Sequence, residues 1–379
     1  MTLLDWIALG CALFVLYTYA GYPALIALLS RLRPWPYVRA DWTPTVSVVI
    51  AAFNAEKWVE KKIAWLLAQD YPADRMEILI ASDGSTDRTD ELVRAAAERA
   101  DRPVRLVRVE PRAGKPSALN HAVPLATGEV LVMMDIRQEV TPGTVRALCA
   151  TLADPSVGVV GGEYELPGPG GAGAYWRYER WIRNQEARFD STLGLSGCLY
   201  AIRRADFRPM PTETILDDML VPLRVHLTGR RVAYEPGARA IDEEVELSRD
   251  FQRKVRTLAG NFQLIGFEPA LLGPRNRSFL QLWSHKLFRL LVPYALAALL
   301  AVNGAVLAGI GRSALPSWAW LALVSAQAAF YLCAAIGGRV KLGGAPGKLL
   351  GLCNTFVVLN WAAVVGLWRF VRARQQVTW

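Results

Sequence analysis

Three segments of the 379-residue chain combine glycine, lysine, hydroxyl and carboxylate side chains at spacings that suit a phosphorylated ligand. The first is Asp83-Gly84-Ser85-Thr86-Asp87, preceded in the chain by Ala51-Ala52-Phe53-Asn54-Ala55-Glu56. Small residues and glycine let a planar ring approach the backbone, and Asp83 is placed to accept a hydrogen bond from a base or a sugar. The same five residues also read as a turn followed by an Asp or Ser helix cap. The second segment, Gly114-Lys115-Pro116-Ser117-Ala118-Leu119-Asn120, is a glycine-lysine loop entering a helix, whose amides and point charge suit phosphate. It lacks the spacing of a P-loop. The third is Asp135, where a metal-binding carboxylate would face the same crevice.

These residues act together only if the fold brings them together, and the hydrophobic pattern says how. Val46–Ala52 is an apolar, β-branched run bounded by Pro44 and Asn54, which predicts a buried strand of a parallel sheet. Residues 56–69 place Val59, Ile63, Leu66 and Leu67 on one helical face, and Asp70-Tyr71-Pro72 ends that helix. Strands over 77–81, Val104–Val109 and 130–134 then alternate with helices over 85–100, capped by Ser or Thr, and over 115–125. Such alternation predicts an α/β fold with a mostly parallel sheet. Ligands of these sheets bind outside the carboxyl ends of the strands, where all three segments fall.

The rest of the chain is apolar. Hydrophobic residues make up 53% and charged residues 20% of the sequence, and the mean hydropathy is +0.20. Those values exclude a disordered tail and point to a membrane protein. Uncharged runs of bilayer-spanning length cover 6–30, 290–311, 315–338 and 349–368. The first lacks the basic flank of a signal peptide, and Arg31, Arg33 and Arg39 behind it place the polar block on the cytoplasmic side. Counting spans onward leaves Arg369, Arg372 and Arg374 on the other side, against the same rule. Residues 279–289 mix apolar and basic side chains as an interfacial helix does. The net charge of +9 then divides between cytoplasmic flanks and a site for a diphosphate. Dispersed Arg and Lys argue against a nucleic-acid partner. Five scattered cysteines without a CxxC pair, and three isolated histidines, offer no disulfide framework, zinc site or Ser-His-Asp triad. A glycine- and proline-rich connector, 167–174, divides the polar block.

In order and spacing, Phe53 to Glu56, Asp83 to Asp87, the Gly114-Lys115 loop and Asp135 resemble the nucleotide-sugar half of the family-2 inverting glycosyltransferases of GT-A fold. The likeness continues into the second half. Leu195-Ser196-Gly197 resembles the acceptor-side glycine segment, Thr214 to Asp218 the acidic pair that supplies the catalytic base, and Gln252 to Thr257 the QxxRW element of the membrane-embedded branch. That branch includes hyaluronan, chitin and poly-N-acetylglucosamine synthases, cellulose synthase and ceramide glucosyltransferase. The resemblance implies a GT-A domain with a mostly parallel sheet plus about four transmembrane helices. The implied division is an N-terminal helix and flank (1–40), a cytoplasmic catalytic domain (41–280), and an interfacial helix with C-terminal spans (281–379). It also implies roles. Ala52, Asn54, Glu56, Asp83, Gly84, Ser85, Lys115, Arg253 and Arg256 would hold the nucleotide. Asp135 would hold Mg or Mn, Ser196, Gly197 and Thr257 would face the acceptor, and Asp218, beside Asp217, would be the base. A diphosphate leaves readily only when its charge is neutralised, which calls for a divalent cation together with Lys or Arg. Adjacent acids on a helix point about 100 degrees apart, so one of the pair reaches the acceptor.

Two positions depart from the family pattern. The second acid of DxD is Arg137, which weakens metal binding or takes over part of its charge, and the Trp of QxxRW is Thr257. Trp176, Tyr178 and Trp181 are alternatives for the lost stacking surface, although aromatics at that spacing more often pack. The expected function is transfer of sugar from a cytosolic UDP-sugar to a lipid-linked or polysaccharide acceptor with a β linkage, by an integral protein of the inner or plasma membrane. Four spans are few for a polymer channel, so polymer export would need an oligomer or a separate exporter. Membrane lipids are the other expected partner. Competing readings are a non-catalytic sugar-nucleotide sensor or scaffold of a synthase complex, and transport without chemistry.

Overall fold

A computed structural model describes residues 1–165, 172–242, 247–274, 276–340 and 342–372. Most of the connector at 167–174, together with Lys341 and Arg374, lies outside the described residues. Among the described residues eight strands form one sheet: β1 (Val46–Ala52), β2 (Met76–Asp83), β3 (Val104–Val109), β4 (Val130–Asp135), β5 (Glu139–Val140), β6 (Val157–Glu165), β7 (Leu199–Arg203) and β8 (Arg231–Ile241). Their order is β3-β2-β1-β4-β7-β6-β8-β5. β3, β2, β1 and β4 run parallel, β7 runs antiparallel to β4 and β6, and β8 is parallel to β6. The mostly parallel sheet is thus present, with the expected first four strands.

All seven residues of β1 are buried. Val48 and Ile50 pack into one core and Val49 and Ala51 into the other, which is why this strand reads as an unbroken apolar run. Complete burial of such side chains contributes about 1.5–3 kcal/mol each. Helices α2 (Glu56–Leu67), α3 (Thr89–Ala97) and α5 (Thr144–Leu152) cover one face. Helices α4 (Lys115–Ala122) and α7 (Asp217–Leu227) cover the other, and that core continues into α8 (Leu247–Phe267). The helix expected over 85–100 starts instead at Thr89, and Arg88 at its cap makes no side-chain cap bond. Asp87 serves the first turn by accepting from the Thr89 amide at 3.0 Å, because a carboxylate is the stronger acceptor.

Among the described residues four helices are long and apolar enough to cross a membrane: α1 (Leu3–Leu32), α9 (Phe279–Leu307), α10 (Ser317–Gly337) and α11 (Gly344–Val371). Residues 279–289 are the first turns of α9, continuous with its apolar part. α1 and α9 are antiparallel neighbours, with Tyr17 meeting Ser284 at one level and Asp5 meeting Ser313, in the segment just after α9, at the other. The end of α11 lies on α8: Phe370 stacks on Phe262 at 6.0 Å, and a Cβ at Gly366 would stand 3.0 Å from the Ala259 amide nitrogen. Arg369 and Arg372 are therefore at the end of a helix that packs on α8. A further helix, α6 (Ala172–Phe189), packs against the second half of α1.

Candidate active site

The chain runs outward from β1 through β2 to β3, then returns to β4 on the other side of β1. That reversal opens a crevice at the carboxyl ends of β1 and β4. Ala51 is level with Asp135 across it, and Ala52 is level with Ser82 on the other neighbour.

The loops after β1 and β2 lock into each other. Asn54, in the left-handed region at φ 46°, accepts from the Thr86 amide at 2.9 Å and donates its own amide to Ser85 Oγ at 3.2 Å. Asn tolerates that conformation better than most residues do. Glu56 accepts from the Arg88 amide at 3.2 Å while its amide donates to Asp87 at 3.0 Å. Gly84, at φ 67°, leaves room for Arg112, whose guanidinium lies 3.6 Å above the Phe53 ring. Ala52 is fully buried beneath this floor. Asp83 is also fully buried, and it accepts from the amides of Ala113 and Gly114, each at 2.8 Å. Its carboxylate thereby braces the loop that presents Lys115.

Lys115 lies where the two halves of the domain meet. Its Nζ is 2.9 Å from Asp135 Oδ1, 3.0 Å from Asp217 Oδ2 and 3.4 Å from the Gly197 carbonyl oxygen. Burial pulls the ammonium pKa down, but Asp135 and Asp217 outweigh it and hold the group well above its ordinary range. The segment before β7 reaches the same place, because Cys198 O accepts from the Asp135 amide at 3.2 Å. Asp217 and Asp218 open α7, with Asp217 turned to Lys115 and Asp218 beside Gly197. Burial, then repulsion from Asp217, raises the Asp218 pKa to about 6. The two acids are thus split as the helix geometry requires, Asp217 engaged by a cation and Asp218 without that pairing.

Asp135 offers one carboxylate that is 33% exposed. Among the described residues no three His, Cys, Asp or Glu side chains converge into a metal cage. A site of this kind fits a Mg or Mn ion that keeps waters and takes diphosphate oxygens, rather than one held by protein alone. Arg137 is turned away from Asp135 and pairs with buried Asp242, which also accepts from Gln138 Nε2 at 3.1 Å and from the Tyr164 hydroxyl at 2.7 Å.

Arg253 and Arg256 lie on α8, with Arg253 beside Tyr164. Thr257 is exposed, and its hydroxyl donates back to Arg253 O at 3.0 Å. Ser196 Oγ is 3.1 Å from Cys198 Sγ. Trp176 donates to Tyr164 O at 3.1 Å and Tyr178 to Tyr19 O at 2.8 Å, so both are packing residues. One contributor escaped the sequence reading. Lys62 is fully buried on the apolar face of α2 and donates to Gln138 O at 2.8 Å, anchoring the turn after Asp135. Its signal was a lysine in register with Val59 and Leu66. Burial lowers its pKa to about 8.

Residues 47–209 match the family model described as Glycosyl transferase family 2. The beta-monoglucosyldiacylglycerol synthase of Nostoc sp. is 26% identical over 223 residues, which cover 56% of this chain and 47% of that protein. The poly-beta-1,6-N-acetyl-D-glucosamine synthase of Staphylococcus aureus is 24% identical over 215 residues, 54% of this chain and 51% of that protein. The chain spans about half the length of the curated relatives it matches. A solved mannosyltransferase of Pyrobaculum calidifontis, in complex with GDP-Man and Mn2+, has a TM-score of 0.76 at 23% identity, covering 98% of this chain and 100% of that one. That likeness shows the fold.

Proposed function

With a Glycosyl transferase family 2 domain of GT-A fold as the premise, we propose that this protein transfers a sugar, with inversion, from a nucleoside diphosphate sugar to an acceptor at a membrane. The observation that carries the reading is Lys115 held between Asp135 and Asp217 beside a carboxylate, Asp218, whose pKa of about 6 suits a base.

In this reading the diphosphate lies over Lys115, and its sugar C1 faces Asp218 across the Gly197 segment. The acceptor oxygen forms a bond to C1 while the bond from C1 to the diphosphate oxygen breaks. The bonding pair leaves with the nucleoside diphosphate, and the acceptor proton passes to Asp218. Lys115 offsets the charge that develops on the leaving group. Asp83, through the Ala113 and Gly114 amides, keeps that ammonium in place. A Mg or Mn ion held at Asp135 would supply further charge neutralisation. Arg253 and Arg256 complete the donor side, and Ser196, Gly197 and Thr257 belong to the acceptor side. The donor is a UDP-sugar and the acceptor a lipid-linked or growing glycan, with the catalytic domain, over 41–280, in the cytoplasm. Support for membrane action comes from the four apolar helices, of which α9 and α11 contribute side chains to one core of the sheet domain.

The test is a screen of UDP- and GDP-sugars for nucleotide release, with and without Mg or Mn, in nanodiscs containing native lipid extract. Transfer by the wild type, and its loss in Asp218→Asn with nucleotide binding retained, is expected. Full activity in Asp218→Asn overturns the base assignment. Binding without turnover by the wild type favours a sensor or scaffold role.

A further inference from the structure

At the foot of α9, among the described residues, one cation is left without a hydrogen bond or ion pair, with Glu179 and Glu186 acting on it only at longer range. The helix contains a π-turn over Leu282–Leu287, and α1 contains another over Tyr17–Gly21. The two meet where the Tyr17 hydroxyl and Ser284 Oγ stand 2.8 Å apart. A π-turn re-aims the side chains that follow it and occurs often at functional sites. Here it sends successive residues to different neighbours. His285 is buried against α6, 2.7 Å from Glu186 and 3.2 Å from Glu179. Arg289 pairs with Glu179 as well, and the Tyr22 hydroxyl donates to Glu186 at 2.6 Å. Both carboxylates are thus committed.

Lys286 goes the other way, toward the catalytic domain. Its Nζ would lie 3.0 Å from a Cβ built on Gly194, so the missing side chain at Gly194 makes its space. Asp218 feels its charge. Among the described residues this ammonium has no hydrogen bond and no ion pair. Arg183 carries a buried Nε without a partner in the same neighbourhood. Arg183, Lys286 and Arg289 share the carboxylates Glu179 and Glu186, while Arg183 also acts on Glu163 and Lys286 on Asp218. A half-buried ammonium without a partner is costly unless an anion meets it.

We propose that Lys286 receives the phosphate of an anionic membrane lipid, holding that lipid so that its hydroxyl group faces Asp218. This rests on the reading of the Gly194 to Gly197 segment and Asp218 as the acceptor side. Lys115 serves the donor from the sheet, whereas Lys286 reaches the site from an apolar helix, about two turns beyond its start. A group met at that depth on such a helix is a lipid headgroup at the membrane boundary. An ammonium without an ion pair selects a phosphate-bearing headgroup over a neutral one.

The test is binding, read separately from turnover. Dioctanoyl phosphatidylglycerol and dioctanoylglycerol are titrated into the full chain in neutral detergent with UDP present, for wild type, Lys286→Met and Lys286→Arg. The wild type is expected to bind the anionic lipid at least about tenfold more tightly than the neutral one. Lys286→Met should lose about 10–100-fold for the anionic lipid only, and Lys286→Arg should keep most of the affinity, with UDP affinity unchanged in both. Equal affinity for the two lipids, no effect of Lys286→Met, or loss of UDP binding in that variant would each overturn the proposal. So would glycerol phosphate binding as tightly as the lipid, which would assign the site to a soluble phosphate. Failure of the glycosyl-transfer reading registers separately, as unimpaired transfer by Asp218→Asn.

Discussion

The Gly197 backbone presses against the Asp218 carboxylate: a methyl group added at Gly197 would lie 3.0 Å from Asp218 Oδ2 and 3.2 Å from its Cβ and Cγ. Glycine is needed here for closeness, because Gly197 is not among the positive-φ residues of the backbone. Gly197→Ala must therefore push the carboxylate aside by a few tenths of an ångström. With Asp218 as the proposed base, displacing it by that much is expected to lower kcat about 10–100-fold with nucleotide affinity retained. Steady-state kinetics beside a nucleotide titration checks it, and unchanged kcat would remove Asp218 from the chemistry.

Asp218 also sets a pH dependence. Its pKa in the folded chain, about 6, is above the ordinary value of 3.8, so the folded state holds this proton more tightly than the unfolded chain. Between those values the native state binds more protons, and stability falls as pH rises through the window. In the proposed mechanism activity runs oppositely, because its base must be ionised. Nucleotide release is expected to rise with pH to a plateau, half-maximal near pH 6, while Asp218→Asn melts a few degrees higher than wild type at pH 7. A thermal melt paired with a pH-rate profile reads both.

Lys115 is expected to couple donor binding to that profile. Lys115→Met removes the cation between Asp135 and Asp217 and one of the charges that lowers the Asp218 pKa. The activity limb should move to higher pH, and diphosphate affinity should fall by about tenfold or more. Weaker binding with an unmoved limb would mean that Asp218 does not respond to this ammonium.

How much of this was legible in the sequence depends on the range of the interaction. β1 reads directly because both its faces are buried, and the loops after β1, β2 and β4 were readable as a set because a parallel sheet delivers their ends to one crevice. The use of those residues was less visible. Nothing local says that both oxygens of Asp83 are taken by Ala113 and Gly114, or that Lys62 on an apolar face reaches the turn after Asp135. That α11 ends on α8 was equally hidden, since it is a contact between distant segments.

Arg137, at the position of the second DxD acid, has a structural use that bears on any attempt to restore that acid. Its guanidinium pairs with Asp242, which is 2% exposed and continues the network to Gln138 and Tyr164. The hydrogen bonds from Arg137 and Tyr164 outweigh burial and hold the Asp242 carboxyl below its ordinary range. Arg137→Asp would place a second carboxylate against this buried one, leaving an uncompensated charge whose cost is on the order of 3–5 kcal/mol. The substitution is therefore expected to lower the melting temperature and to leave Mn affinity no better than wild type. Arg137→Asp combined with Asp242→Asn should recover most of the lost stability, because the repulsion is gone. Melting curves and Mn titrations on the two variants check this, and a single Arg137→Asp variant that gained Mn affinity at wild-type stability would show that Asp242 does not need the guanidinium.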